Sequence, residues 1–140
     1  MTGYSGTPLV KKLGIKAGHR VGVLGDPGHF EELLRPLPDG AHVVRNPRRG
    51  CEVVVAFAPN RSQFVARLDR TVGHMPADGS LWIAWPKRAS GVPTDMTENV
   101  VREEAFPRHL VDVKVCAIDD TWSGLKLMVR KERRSSWPTQ

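Results

Sequence analysis

The sequence predicts one α/β domain in three layers, with helices on both faces of a sheet of about six strands that ends in an antiparallel hairpin. Three stretches carry that expectation. Leu81-Trp82-Ile83-Ala84-Trp85 is apolar at every position, as suits a central parallel strand covered on both sides. Arg61 to Gly73 is the strongest helix, because Phe64, Val65, Leu68 and Val72 form one apolar stripe with Arg61, Arg67 and Arg70 largely outside it. Leu110 to Ile118 and Leu125 to Arg130 are apolar runs joined by Asp119-Asp120-Thr121-Trp122-Ser123-Gly124, the pattern of a hairpin.

The elements follow in chain order. Met1 to Gly6 reads as a loose tail. Thr7-Pro8 reads as N-cap and first residue of a short helix that turns Leu9, Val10 and Leu13 inward and stops at Gly14. Arg20 to Leu24 is the first strand, broken by Gly25-Asp26-Pro27-Gly28. His29 to Arg35 is a brief helix with Phe30, Leu33 and Leu34 inward, closed by a Pro-rich turn ending at Gly40.

Ala41 to Arg45 is a weak second strand. Only Asn46 to Cys51 separates it from the next run, Glu52 to Phe57, and a helical crossover needs a dozen or more residues. Either the second strand lies at an edge with an extended return, or it is not a proper strand. After the strong helix and the Trp-rich strand, Pro86 is expected to stop the ladder, since it has no N–H to donate. The next helix runs from Asp95 to about Phe106, with Asp95-x-x-Glu98 as a capping-box-like start and Pro107 as its end.

A chain of 140 residues suits a single domain, assigned here to residues 1–134, with 135–140 as a flexible tail after the basic run Arg130 to Arg134. The net charge of +6 admits an acidic partner without requiring one. With no long apolar window and no signal pattern, the expected location is cytoplasmic, with no membrane partner. Cys51 and Cys116 sit in apolar runs and read as reduced core or near-core thiols. His19, His29, His42, His74 and His109 show no metal-ligand spacing, so no metal is predicted.

Lys12-Leu13-Gly14-Ile15-Lys16-Ala17-Gly18-His19-Arg20-Val21, followed by a strand and a Gly-containing turn, resembles the opening of class I S-adenosylmethionine-dependent methyltransferases. Met75-Pro76-Ala77-Asp78-Gly79-Ser80-Leu81-Trp82-Ile83 resembles their approach to the fifth strand. The resemblance implies a shortened Rossmann-like, methyltransferase-type sheet with an antiparallel last strand inserted beside the sixth. It also implies S-adenosylmethionine as the cofactor, on a loop that here offers Gly25, Asp26 and Gly28. The superfamily loop is an acidic residue followed by G-x-G-x-G. In this chain Pro27 removes a backbone N–H, and Arg45-Asn46 stands where an acidic residue would hold the ribose hydroxyls. Tyr4-Ser5-Gly6-Thr7-Pro8-Leu9, Trp85 to Asp95, Val111 to Cys116 and Thr121 to Lys126 resemble a bacterial family catalogued as domain of unknown function 3052. That resemblance implies no activity.

Loops at the carboxyl edge of a parallel sheet are where ligands bind. Lys87, Arg88 and Ser90 are therefore candidates to hold a phosphate or carboxylate, with Asp95 at the following helix start. Asp119 and Asp120 are candidates for a base or an amine-binding pair, against the plainer reading as turn residues. Trp122 and Trp85 are candidates to face each other as a stacking pair for a planar ligand, and Trp82 reads as packing. No catalytic residue is assigned.

The favoured function is a small-ligand or partner-binding module, the ligand being anionic or planar. The alternatives are a methyltransferase with an atypical cofactor loop, and a nucleic-acid-associated protein using Arg48, Arg49 and the C-terminal arginines. A dimer covering the edge at Ala41 to Arg45 is a further expectation.

Overall fold

The computed structural model describes residues 7–138, so the expected tail at 1–6 lies outside the described residues. Six strands form one sheet: β1 (Arg20–Leu24), β2 (His42–Arg45), β3 (Val53–Phe57), β4 (Ser80–Pro86), β5 (Leu110–Ala117) and β6 (Trp122–Val129). Their spatial order is β2-β1-β3-β4-β6-β5. β2, β1, β3 and β4 are parallel, and β6 runs antiparallel between β4 and β5. The predicted sheet, with its inserted last strand, is the observed one.

Helices cover both faces. α1 (Leu9–Lys12) and α2 (Phe30–Leu33) lie on one side, and α3 (Arg61–Val72) and α4 (Glu98–Ala105) on the other. β4 shows why its run is apolar throughout. Trp82 and Ala84 join Leu13, Phe30 and Leu34 in the core under α1 and α2. Leu81, Ile83 and Trp85 join Phe64, Leu68, Val101 and Ala105 in the other core. Alternate residues thus serve opposite layers. The Trp82 indole N–H donates to the Leu13 carbonyl at 3.1 Å, which satisfies its polar atom in the core.

β2 is a true edge strand with an extended return. The return packs against the sheet directly, because Pro47 is buried over Gly22 and a Cβ there would lie 2.6 Å from the Pro47 Cγ. A glycine in β1 makes room for the chain where a crossover helix would otherwise sit.

Four local expectations are corrected. Pro8, not Thr7, stands at the N-cap of α1, and no side chain caps it. Pro86 stays in β4, paired with Trp122, because β6 tolerates a partner without an N–H at the strand's end. α4 starts three residues later than the Asp95-x-x-Glu98 pattern suggests, since Thr97 accepts the Val100 N–H at 3.1 Å and is the cap. β6 begins at Trp122, so only residues 118–121 turn the hairpin.

The chain beyond β6 turns back onto the α3–α4 core. Lys131–Ser136 forms a 3-10 helix, and Trp137 packs on the α3–α4 core with its indole N–H donating to the Met75 carbonyl at 2.8 Å. An indole offered both an apolar wall and an acceptor is held. Residues 135–138 thus belong to a segment held against the core, while 139–140 lie outside the described residues. On the other outer strand, β5, the register slips between Asp112 and Lys114, so Val113 bulges out of the ladder and Lys114 stands opposite Lys126.

Candidate functional site

The carboxyl ends of β1 and β2, with α3, open onto a cavity of about 640 Å³ lined by Gly25, Asp26, Arg45, Asn46, Arg67 and Arg70, among others. A smaller one of about 180 Å³ shares Asp26 and Arg45 with it and adds Gly28 and His29. Asp26 is committed to its own loop. Its Oδ1 accepts the Gly28 N–H at 2.7 Å and the Phe30 N–H at 3.3 Å, groups that a phosphate at this turn would otherwise take.

Arginines dominate the rest of the larger cavity. Arg45 donates to Glu31 Oε1 at 2.7 Å and lies 3.9 Å from Asp26 Oδ2. Arg67, on α3, donates to the Phe57 carbonyl, and its guanidinium lies directly above Gly25. A Cβ on Gly25 would sit 2.8 Å from both the Phe57 oxygen and the Arg67 Cζ, and the φ of +68° is itself a glycine conformation. Burial lowers the Arg67 pKa, with no anion to offset it. Arg70, one turn further along α3, donates to the Asn46 carbonyl at 3.3 Å. Among the described residues neither Arg67 nor Arg70 has a carboxylate partner.

Beside this groove, His29 Nε2 lies 2.8 Å from Asp119 Oδ2. Asp119 Oδ1 meanwhile accepts the Thr121 and Trp122 N–H groups, both at 2.8 Å. Burial opposes ionisation of Asp119, but the His29 contact and these backbone donors outweigh it and hold its pKa below the ordinary value. A histidine oriented by a carboxylate is an arrangement suited to proton transfer.

The residues expected from sequence divide into groups. Gly25 and Asp26 line the larger cavity and Gly28 the smaller. Asp119 reaches this edge through His29. Lys87 and Trp122 are neighbours, since the Lys87 N–H donates to the Thr121 carbonyl at 2.8 Å, but neither lines either cavity. Arg88 and Asp120 are exposed, and Ser90 turns onto its own loop, donating to the Lys87 carbonyl at 2.7 Å.

Asp95 accepts the Arg61 N–H at 2.8 Å and so caps α3, the helix that precedes it in sequence. The expected Trp85–Trp122 stacking pair does not form, because the two rings belong to cores on opposite faces of the sheet. Trp122 instead packs edge-on against Phe57, ring centres 5.1 Å apart. Sequence reading missed Arg67 and Arg70, which looked like the solvent side of a helix, and His29, whose partner is 90 positions away. Among the described residues no three metal-ligating side chains converge, and no helix is long and apolar enough to cross a membrane.

No protein-family model and no curated protein matches the chain, so the expected membership of the domain of unknown function 3052 family is unsupported. Solved structures do match. A ribosomal protein L11 methylase from Lactobacillus delbrueckii subsp. bulgaricus superposes with a TM-score of 0.61 at 10% identity, over 86% of this chain and 74% of that one. A S-adenosylmethionine-dependent methyltransferase from Aquifex aeolicus gives 0.56 at 14% identity, over 86% and 87%. The O-methyltransferase NcsB1 of neocarzinostatin biosynthesis, solved with S-adenosylmethionine, gives 0.59 at 16% identity; 80% of this chain spans about half of it, 49%. At such identities the likeness establishes the fold, a Rossmann-like methyltransferase-type sheet, and nothing finer.

Proposed function

We propose that this methyltransferase-like fold serves as a binding module for a small anionic molecule, held in the groove between the carboxyl ends of β1 and β2 and the outer face of α3. The observation that carries the reading is the convergence of Arg45, Arg67 and Arg70 on one cavity, where the carboxylates Asp26 and Glu31 both face Arg45 and leave Arg67 and Arg70 unpaired by any carboxylate among the described residues. Guanidinium groups left without carboxylates favour a phosphate or carboxylate ligand.

S-adenosylmethionine, the ligand of NcsB1, does not fit these residues. Its sulfonium is cationic, and a cavity lined by three arginines disfavours a cation. Its ribose hydroxyls are best held by a carboxylate at the end of β2, where the donor-only Arg45 and the neutral Asn46 stand instead. The close approach that Gly25 would grant a ligand is taken by Arg67. No step through that cofactor is derived.

Calorimetry with pyrophosphate, ADP and S-adenosylmethionine tests the reading. Pyrophosphate or ADP should bind saturably, and Arg70→Ala should weaken binding roughly tenfold, the cost of one charge-assisted contact. Saturable S-adenosylmethionine binding, or anion binding indifferent to Arg70→Ala and Arg45→Ala together, would refute it. The oriented His29–Asp119 pair favours a second reading, a methyltransferase with an atypical loop. That reading requires S-adenosylmethionine binding plus methyl transfer that His29→Gln abolishes while leaving affinity intact.

A further inference from the structure

The opposite, amino-terminal edge of the sheet carries a separate constellation. There the end of α3, the start of β5 and the segment after β6 enclose a cavity of about 350 Å³. Val72, Trp137 and Pro138 form apolar walls, and His109 and Arg133 stand at the rim. The polar geometry at that rim is incomplete in a specific way. Arg130 Nη2 lies 3.0 Å from His109 Nδ1, and Arg133 Nη2 lies 3.4 Å from His109 Nε2. Both guanidinium groups are donors only, whereas a neutral imidazole accepts at one nitrogen and donates at the other.

Burial, then Arg133, then Arg130 lower the His109 pKa and so favour the neutral imidazole. The shorter contact assigns Nδ1 as the acceptor, so Nε2 carries the proton. His109 Nε2–H and the Arg133 N–H groups are then two donors side by side, and among the described residues Arg133 has no carboxylate to receive it. An acceptor placed between them would turn a donor–donor repulsion into two hydrogen bonds, one of them charge-assisted.

We propose that this edge is a second binding site, for a small molecule that joins an anionic oxygen group to an apolar body. The oxygen group accepts from His109 Nε2–H and Arg133. The apolar part lies against Trp137 and Val72, away from the cations. This orientation also suits the C-terminal end of α3, whose carbonyl partial charge disfavours an anion placed deeper in the cavity. His109 is held for the task in a left-handed conformation (φ +67°), its N–H bonded to the Phe106 carbonyl at 3.1 Å and its carbonyl receiving the Arg130 N–H at 2.9 Å. The site shares no residue with the arginine groove.

Phenyl phosphate and inorganic phosphate are suitable probes, followed by calorimetry and by the ring ¹⁵N shifts of His109. Phenyl phosphate should bind saturably, shift the His109 Nε2 resonance and outcompete inorganic phosphate by roughly tenfold, reflecting the apolar wall. Arg133→Gln, at an exposed position, should weaken binding roughly tenfold. His109→Asn, which tolerates the left-handed backbone, should do the same, while Arg70→Ala should leave it unchanged. The proposal is overturned by absent saturable binding, by equal affinity for the two probes, by binding that both variants keep, or by binding that Arg70→Ala removes.

Discussion

Replacing Asp95 by alanine separates two roles that this residue could have. In the structure its Oδ1 accepts the N–H of Arg61, the first residue of α3. In the same first turn the Asn60 side chain accepts the Gln63 N–H at 2.9 Å. The two caps therefore serve different donors of one helix end, and Asp95→Ala strands only one. Loss of a side-chain cap costs about 1 kcal/mol, of which the carboxylate's attraction to the helix N-terminus supplies about 0.3–0.5 kcal/mol. The expected loss is thus about 1 kcal/mol for Asp95→Ala and about a third of that for Asp95→Asn, which keeps an acceptor. For a domain of this size the alanine variant should melt about 4 °C lower. Urea unfolding followed by far-ultraviolet circular dichroism should show a reduced midpoint with an unchanged slope. Ligand affinity should be untouched in both variants. A variant that unfolds at the wild-type urea concentration but no longer binds its ligand would show that Asp95 is a binding residue and that the capping argument is wrong.

Gly25→Ala should destabilise by about 2 kcal/mol or more, because a Cβ would meet the Phe57 oxygen at 2.8 Å on a backbone with φ +68°; wild-type stability in thermal melting would contradict that geometry. Asp119 has a folded-state pKa below its unfolded one, so its stabilising contribution is present above the unfolded value and is lost as pH falls through the folded value. His29→Ala removes one cause of that depression, so the Asp119 carboxyl ¹³C titration should move to higher pH. An unmoved midpoint would mean the contact does not hold in solution. Burial raises the pKa of both Cys51 and Cys116. Neither thiol should react quickly with a disulfide reagent at pH 8 until urea unfolds the protein, and rapid labelling of Cys51 would place it outside the core.

Much of the fold was legible because its signals are local. β1 and the strong helix carry their own periodicity, and the Trp-rich strand carries its continuous apolar run. The short stretch Asn46 to Cys51 before the next apolar run was enough to exclude a helical crossover. The errors share one cause, a partner distant in sequence. Asp95-x-x-Glu98 has the composition of a capping box, yet the Asp95 oxygen is used by a helix that starts 34 positions earlier, and Thr97 inherits the cap. Trp122-Ser123-Gly124 has turn composition. It is strand because Gly124 leaves room for Trp82 and Ile118, each with an atom 3.2 Å from where its Cβ would be.

The candidate site was legible only in part for the same reason. Gly25 and Asp26 announce a loop after a strand. Arg67 and Arg70 look like ordinary solvated charges until the sheet order places α3 over that loop.

The slipped register at Val113 bears on how this protein keeps company with copies of itself. β5 is the outermost strand, and Val111, Val113 and Val115 are exposed along it at 40%, 53% and 51%. Such a rim invites a neighbouring molecule to add a strand of its own. The bulge puts any growing ladder out of step midway, and Lys114 beside Lys126 sets positive charge against a second copy of the same surface. A row of valines that would otherwise suit strand addition is thereby a poorer template for a second copy of the chain.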